Sequence, residues 1–228
     1  MRPLIVLVPS RGRPQNAARL ADAFEHTCTL PDTRLVFGVD DDDHTGGEYL
    51  PLRSARVGVD VVPSRGVGMN AALNRLAGEY SPRCQVIGFM GDDHLPRTVG
   101  WDARVCEALA QRPGVAYADD LLQREALPTQ VFLTSTVVET LGWMAPPLQR
   151  HLYLDNFWLY LGQRVGITYL PDVVIEHLHP LAKKADVDDG YKLVNARQMY
   201  EHDEKAFAAY LASDFDTDVD RVRAVLRG

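Results

Sequence analysis

Apolar residues run unbroken from Leu4 through Ile5, Val6, Leu7 and Val8, then stop at Pro9-Ser10-Arg11-Gly12-Arg13-Pro14. This is the pattern of a strand buried on both faces that empties into a loop. Over residues 15–26 the apolar positions change period: Ala17, Leu20, Ala21 and Phe24 recur at helical spacing, with Pro14 placed to start the helix. Further strands and helices follow. Strands are expected at 34–39, 57–62 and 86–90, with a short one at 115–118, and one-faced helices at 68–79 and 101–111. Repeated strand-helix units predict an α/β domain with a mostly parallel central sheet flanked by helices.

The second half is less periodic. A strand is expected at 130–135, a short helix at 135–141, a loop around Pro146-Pro147, and an aromatic helix at 154–162 carrying Phe157, Trp158 and Tyr160. Strands at 166–170 and 172–177 follow. Residues 182–190 are charged and poor in apolar side chains, which predicts a mobile loop, and 191–212 has the pattern of a long polar helix. No internal repeat or linker interrupts the chain, so the expected division is a main domain over 1–180 with a loop and helical tail, 181–228, packed on it.

Composition narrows the function. With 228 residues, 46% apolar and 24% charged, disordered and collagenous classes fall away. There are 24 Lys and Arg against 31 Asp and Glu, a net charge of −7 with no basic block, which disfavours a nucleic-acid partner held through phosphates. Arg53, Arg56 and Arg65 are the one grouping able to form a local basic patch. Cys28, Cys84 and Cys106 form no CxxC pair, and the first apolar run is too short for a signal peptide or a bilayer span, so a reduced, cytoplasmic setting is expected.

In a parallel α/β sheet, ligands collect at the carboxyl ends of the strands. Three unusual loops belong there. Residues 9–14 offer Arg11 and Arg13 around a flexible Gly12, suited to a phosphate; residues 40–44 hold four adjacent carboxylates; and Gly91-Asp92-Asp93-His94 offers carboxylates suited to a hard divalent cation. Each has an ordinary alternative: exposed basic residues for the first, solvated turns or helix caps for the others, and an N-terminal cap for Asp155-Asn156. His177 and His179 flank Leu178 just after a strand and share a side, so a carboxylate-imidazole set for Mn²⁺ or a similar ion is a further candidate.

The segments LIVLVPSRGRP, VFGVDDDD, GVGMNAALNRLAG, VIGFMGDDHLP, LDNFW and IEHLHP, in that order across residues 4–180, together resemble the family 2-like glycosyltransferases of the GT-A fold, which use nucleotide-sugar donors. The resemblance implies that Pro9, Ser10 and Arg11 line the nucleotide pocket, that Asp40 hydrogen-bonds the base, and that Gly68, Met69 and Asn70 border the nucleotide and ribose. It implies that Asp93 is the metal-binding acid of an Asp-x-Asp motif. Gly91 stands where the first Asp is usual, leaving Asp92 and Asp93 to share its work. Asp155 matches the acid that takes the acceptor proton in inverting members, and His177 resembles the late histidine that completes the metal shell, with His179 as its alternative. No QxxRW-type segment follows Asp155, which points to single transfer and away from processive synthesis.

The implied activity is transfer of one sugar from a UDP- or GDP-sugar to an acceptor hydroxyl, with Mn²⁺ or Mg²⁺ as cofactor, the acceptor itself being unspecified. A divalent cation neutralises the leaving diphosphate, and a carboxylate across the anomeric carbon deprotonates the incoming hydroxyl. Arg11, Arg150 or Lys183 would assist at the diphosphate. Inversion is preferred because Asp155 supplies a base, and retention stays open. Two other readings remain: a sugar nucleotidyltransferase, disfavoured because the first loop has a single glycine, and an inactive nucleotide-binding module, favoured by Gly91.

Overall fold

The computed structural model describes residues 1–63, 68–179 and 196–227. Strand β1 (Arg2–Ser10) is followed by α1 (Pro14–Thr27), β2 (Arg34–Asp40), a 3₁₀ turn (Gly46–Leu52), β3 (Val57–Val62), α2 (Gly68–Tyr80) and β4 (Cys84–Phe89). The chain continues through β5 (His94–Pro96), α3 (Trp101–Gln111), β6 (Val115–Asp119), β7 (Val131–Thr134), α4 (Ser135–Leu141), α5 (Leu154–Val165) and β8 (Ile167–His177). It closes with α6 (Arg197–Ser213) and α7 (Phe215–Leu226).

The strands form one sheet in the order β3-β2-β1-β4-β7-β6-β8-β5. Strands β3, β2, β1 and β4 run parallel, as do β6 and β8, while β7 is antiparallel to both of its neighbours and β5 to β8. Helices cover both faces, and the period-two alternation of β1 shows how. Ile5 and Leu7 face a core shared with Leu73 and Leu76 of α2 and Phe157 and Trp158 of α5; Leu4, Val6 and Val8 face one shared with Leu20 and Phe24 of α1 and Trp101 of α3. A strand buried on both faces has no polar side to show, which is why its sequence is a continuous apolar run.

Two expectations change. The strands foreseen at 166–170 and 172–177 are one strand, β8, whose pairing with β6 jumps from Leu170 opposite Ala118 to Val174 opposite Asp119. Pro171 falls in that irregularity, where its missing N–H breaks no ladder bond. Beyond it β8 leaves β6 and pairs with β5, setting His177 opposite His94. At the C-terminus the long helix foreseen over 191–212 is α6 over Arg197–Ser213, with α7 after it; residues 191–195 lie outside the described residues, as do the expected mobile loop 182–190, Lys183 and Arg65. Phe207, Tyr210, Phe215, Val219 and Val222 of this helical pair enter the same core as Phe157 and Trp158. All three cysteines are free thiols, and no helix among the described residues is long and apolar enough to cross a membrane.

Candidate functional site

The ends of β1, β2 and β4 carry the three loops singled out from sequence, and parallel pairing brings them side by side. Between the first and third runs a chain of hydrogen bonds: the Arg13 backbone N–H donates to the Tyr49 hydroxyl (3.0 Å), which meets the Ser10 hydroxyl (3.0 Å), and Ser10 donates to Asp92 (2.6 Å). With Ser10's one proton directed at Asp92, Tyr49 is the donor to Ser10. The amide of Asn16 and the guanidinium of Arg13 stand 3.4 and 3.5 Å from the other Asp92 oxygen. Burial, and then the charge of Asp93, push the Asp92 carboxyl up to about 6 against the opposing pull of Ser10, Arg13 and Asn16.

Asp92 therefore faces the β1 loop. Asp92 and Asp93, expected to share a cation, have different partners here. Asp93 turns the other way and forms, with His94 and His177, the potential metal-holding group found among the described residues. The His177 Nε2 is 3.5 Å from the Asp93 carboxylate, and the Leu178 N–H bonds to the Asp93 carbonyl oxygen at 2.9 Å, fixing the two loops to each other. His179 packs edge-on against His177 and stands outside the group, so His177 is the histidine that meets the acidic loop.

His94 was not foreseen from sequence. Its Nδ1 accepts the Gly91 N–H (3.0 Å), its Nε2 is 3.3 Å from the Thr129 hydroxyl, and its ring stacks on that of His177 at 4.2 Å. Since Thr129 gives its own proton to Asp120 (2.8 Å), the Nε2 of His94 carries the hydrogen and the ring is neutral. Burial first, and then the charge of His177, depress its pKa. His94 thus serves as a platform under His177 with both nitrogens engaged. Within that group, Asp93 and His177 are the two expected from the sequence.

The charges agree. Burial works against ionised Asp93, but the imidazole of His177 overcomes it and holds the carboxyl well below its ordinary value. Burial likewise opposes a charge on His177, yet Asp93, with Asp120 and Asp155 beyond it, raises its pKa. The Nδ1 of His177 is buried with no hydrogen-bond partner. His177 turns Nε2 toward Asp93 and Nδ1 toward Asp120 (4.0 Å), and the Asp93 carboxylate with a neutral His177 ring offers the oxygen and nitrogen donors that fit Mn²⁺ or Mg²⁺ completed by phosphate oxygens.

Asp155 lies in the first turn of α5, one residue past Leu154, where Tyr153, at φ +63°, is the N-cap, and its carboxylate accepts its own backbone N–H. Burial is the main cause that pushes its carboxyl up to about 6, with the His177 charge opposing. The second acidic loop is tied to the first: Arg11 bonds to Asp40 (2.9 Å) and to Asp42, and Asp43 accepts the Gly12 N–H (2.7 Å) and, within its own loop, both the N–H and hydroxyl of Thr45. Arg11 and Asp40 are thus brought together beside Pro9, the residue of β1 opposite Gly38.

Gly68, at φ +78°, opens α2, and a Cβ there would stand 2.6 Å from the Arg150 carbonyl oxygen. The same oxygen accepts the Asn70 N–H at 3.1 Å. Met69 packs against the core, and the buried Asn70 amide has neither polar atom partnered. Next to Arg150 stands His151, also missed in the sequence. Burial pushes its imidazole down to about 4, with Asp203 raising and Arg13 lowering it and Asp93 close enough to be felt. Tyr49 and His151 sit in aperiodic segments, where no pattern marked them.

No family model and no curated relative matches the chain. Solved structures do. A mannosyltransferase from Pyrobaculum calidifontis, in complex with GDP-Man and Mn²⁺, is 14% identical with a TM-score of 0.62 over 93% of this chain and 76% of that one. TarS from S. aureus in complex with UDP is 12% identical, TM-score 0.59, over 95% and 72%. The glucosyl-3-phosphoglycerate synthase of Mycobacterium tuberculosis, with Mg²⁺ and UDP, is 15% identical, TM-score 0.57, over 80% and 74%. The fold is that of the GT-A glycosyltransferases. In that frame Asp93 lies just past the end of β4 and His177 at the end of β8, both on the edge where the strand-to-helix loops converge.

Proposed function

We propose that this protein is a metal-dependent glycosyltransferase that moves one sugar from a nucleoside-diphosphate-sugar to an acceptor hydroxyl with inversion. The observation that carries this reading is the Asp93–His177 pair, with His177 Nε2 3.5 Å from the Asp93 carboxylate, and with a further carboxylate, Asp155, near enough to feel the His177 charge. Three proteins of the same fold, crystallised with GDP-Man and Mn²⁺, with UDP, or with UDP and Mg²⁺, support a nucleotide-sugar donor with a uridine or guanosine base.

Asp93 and His177 would hold the cation, which when bound neutralises charge on the leaving diphosphate. The rest is the work of the chain. The Arg13–Tyr49–Ser10–Asp92 hydrogen bonds fix the β1 loop against the β4 loop, so the nucleotide edge is ordered before any ligand arrives. Arg11 holds Asp40 in one orientation, giving a carboxylate oxygen for an imino N–H of the base. Asp155, whose proton affinity is raised toward working pH by burial, takes the acceptor hydroxyl's proton as the glycosidic bond to the diphosphate breaks. Arg150, in the loop before α5, would assist at the diphosphate.

The test is a thermal-shift series with UDP, GDP and their sugar conjugates, each with Mn²⁺, Mg²⁺ or a chelator, on the wild type and on Asp93→Ala. Ligand at about a hundred times its dissociation constant raises stability by roughly 2.7 kcal/mol. A metal-dependent response to one nucleotide, lost in the variant, is expected. No response to any nucleotide with any metal refutes the reading.

A further inference from the structure

The C-terminal helix α6 meets the segment before α5 in two ways: Phe207 stacks on Tyr153, and Asp203 binds the backbone. Asp203 is fully buried, and its two carboxylate oxygens accept three consecutive backbone N–H groups: Arg150 at 3.0 Å, His151 at 2.9 Å and Leu152 at 2.7 Å. His202 adds a fourth partner, with its Nδ1 2.8 Å from the same carboxylate. A carboxylate that collects this many donors is held ionised, and burial is outweighed so that its pKa falls.

The segment so gripped is the one on which the site closes. On its other side the Arg150 carbonyl accepts the Asn70 N–H and leaves no room for a Cβ on Gly68, so residues 150–152 are wedged between the start of α2 and α6. One residue further on, Tyr153 takes the left-handed conformation that turns the chain into α5 and sets the direction of Asp155. A segment without regular structure, carrying Arg150 and His151 and ending in a strained turn, has few means of holding its place. Asp203 supplies that hold.

We infer that Asp203 is a positioning residue for transfer, fixing residues 150–152 against the donor side and thereby the start of α5 that carries Asp155. This rests on the glycosyltransferase reading for what is positioned, but the grip itself is measurable without turnover. Misplacing a reacting group by about 1 Å costs on the order of 100-fold in rate. Asp203→Asn keeps the size of the side chain and replaces one accepting oxygen with an NH₂ group that opposes a backbone donor.

The experiment compares wild type, Asp203→Asn and Asp218→Asn. The last loosens the same helical pair at a distance by weakening the Tyr210–Asp218 bond (3.2 Å). Amide hydrogen exchange of residues 150–155 and steady-state kinetics with the donor that wild type uses are measured on each. Exchange is expected to speed up at 150–155 in Asp203→Asn alone, with kcat falling about 10- to 100-fold and donor KM changing less than about threefold. Equal exchange and equal kcat in the two variants would overturn the inference. If the wild type turns over no donor, the glycosyltransferase reading fails, and exchange alone decides the grip. Should Asp203→Asn not fold, His202→Ala, which removes only the side-chain partner of that carboxylate, is read on the same scales.

Discussion

At the scale of single residues the site separates two neighbouring carboxylates by environment. Asp93 is held ionised by the imidazole of His177, while Asp92, buried against Ser10, is pushed up to about 6. Asp93→Ala is expected to remove metal-dependent nucleotide binding and to lower turnover by at least about 100-fold, checked by calorimetry and initial rates. Asp155 makes a prediction of opposite sign for stability. Its folded pKa of about 6 lies above the unfolded value near 3.8, so the folded state binds the extra proton between these values, and stability falls as pH rises through that window. Asp155→Asn is therefore expected to stabilise the protein at pH 7.5 by about 1–3 kcal/mol while abolishing transfer, with the gain vanishing below about pH 4. Urea titrations at both pH values test it. The wild-type kcat/KM should rise with pH through about 6, as the base ionises; a flat profile from 5 to 8, or an Asp155→Ala variant with near-intact turnover, removes Asp155 as the base and favours retention.

At the scale of elements, what was legible in the sequence was what local periodicity encodes. Strand β3 and helices α3 and α4 run over the expected residues, since each buries a face whose spacing is written in a dozen positions or fewer. Asp93 and His177 stood out in the sequence because a short acidic motif and a late histidine end apolar strands, and the fold brings the two side chains within 3.5 Å. His94, Tyr49, His151 and Asp203 did not stand out. His94 meets His177 only because β5, three residues long, pairs with the far end of β8; Asp203 looks from sequence like any charged residue on a polar helix until α6 docks and buries it. The joint between α2 and the loop before α5 gives a prediction of its own. Gly68 has φ +78° and faces a backbone oxygen that no rotamer change can move, so Gly68→Ala is expected to destabilise by about 1–3 kcal/mol and to weaken nucleotide binding in parallel, read from urea midpoints and calorimetry.

At the scale of the whole molecule, the two faces of the sheet are closed differently. One is covered by α1 and α3, which lie early in the chain; the other by α2, α4, α5 and the last helices, so the final residues complete a core that began with β1. Phe157 stacks edge-on with Tyr210, and Tyr210 with Phe215, so the aromatic helix carrying Asp155 is continuous in packing with the tail. A chain cut after residue 196 loses Phe207, Tyr210, Phe215, Val219 and Val222 from that core. At roughly 1.5–3 kcal/mol for each large apolar side chain, the loss exceeds the 5–15 kcal/mol by which domains are ordinarily stable or comes close to it. The truncated chain is expected to lose cooperative unfolding and near-ultraviolet circular dichroism while keeping helical signal. Retention of a cooperative transition within about 3 kcal/mol of the full chain would mean that the tail is an accessory to the domain. It would then also be hard to assign Asp203 a hold on the site, because the helix that carries it would be dispensable.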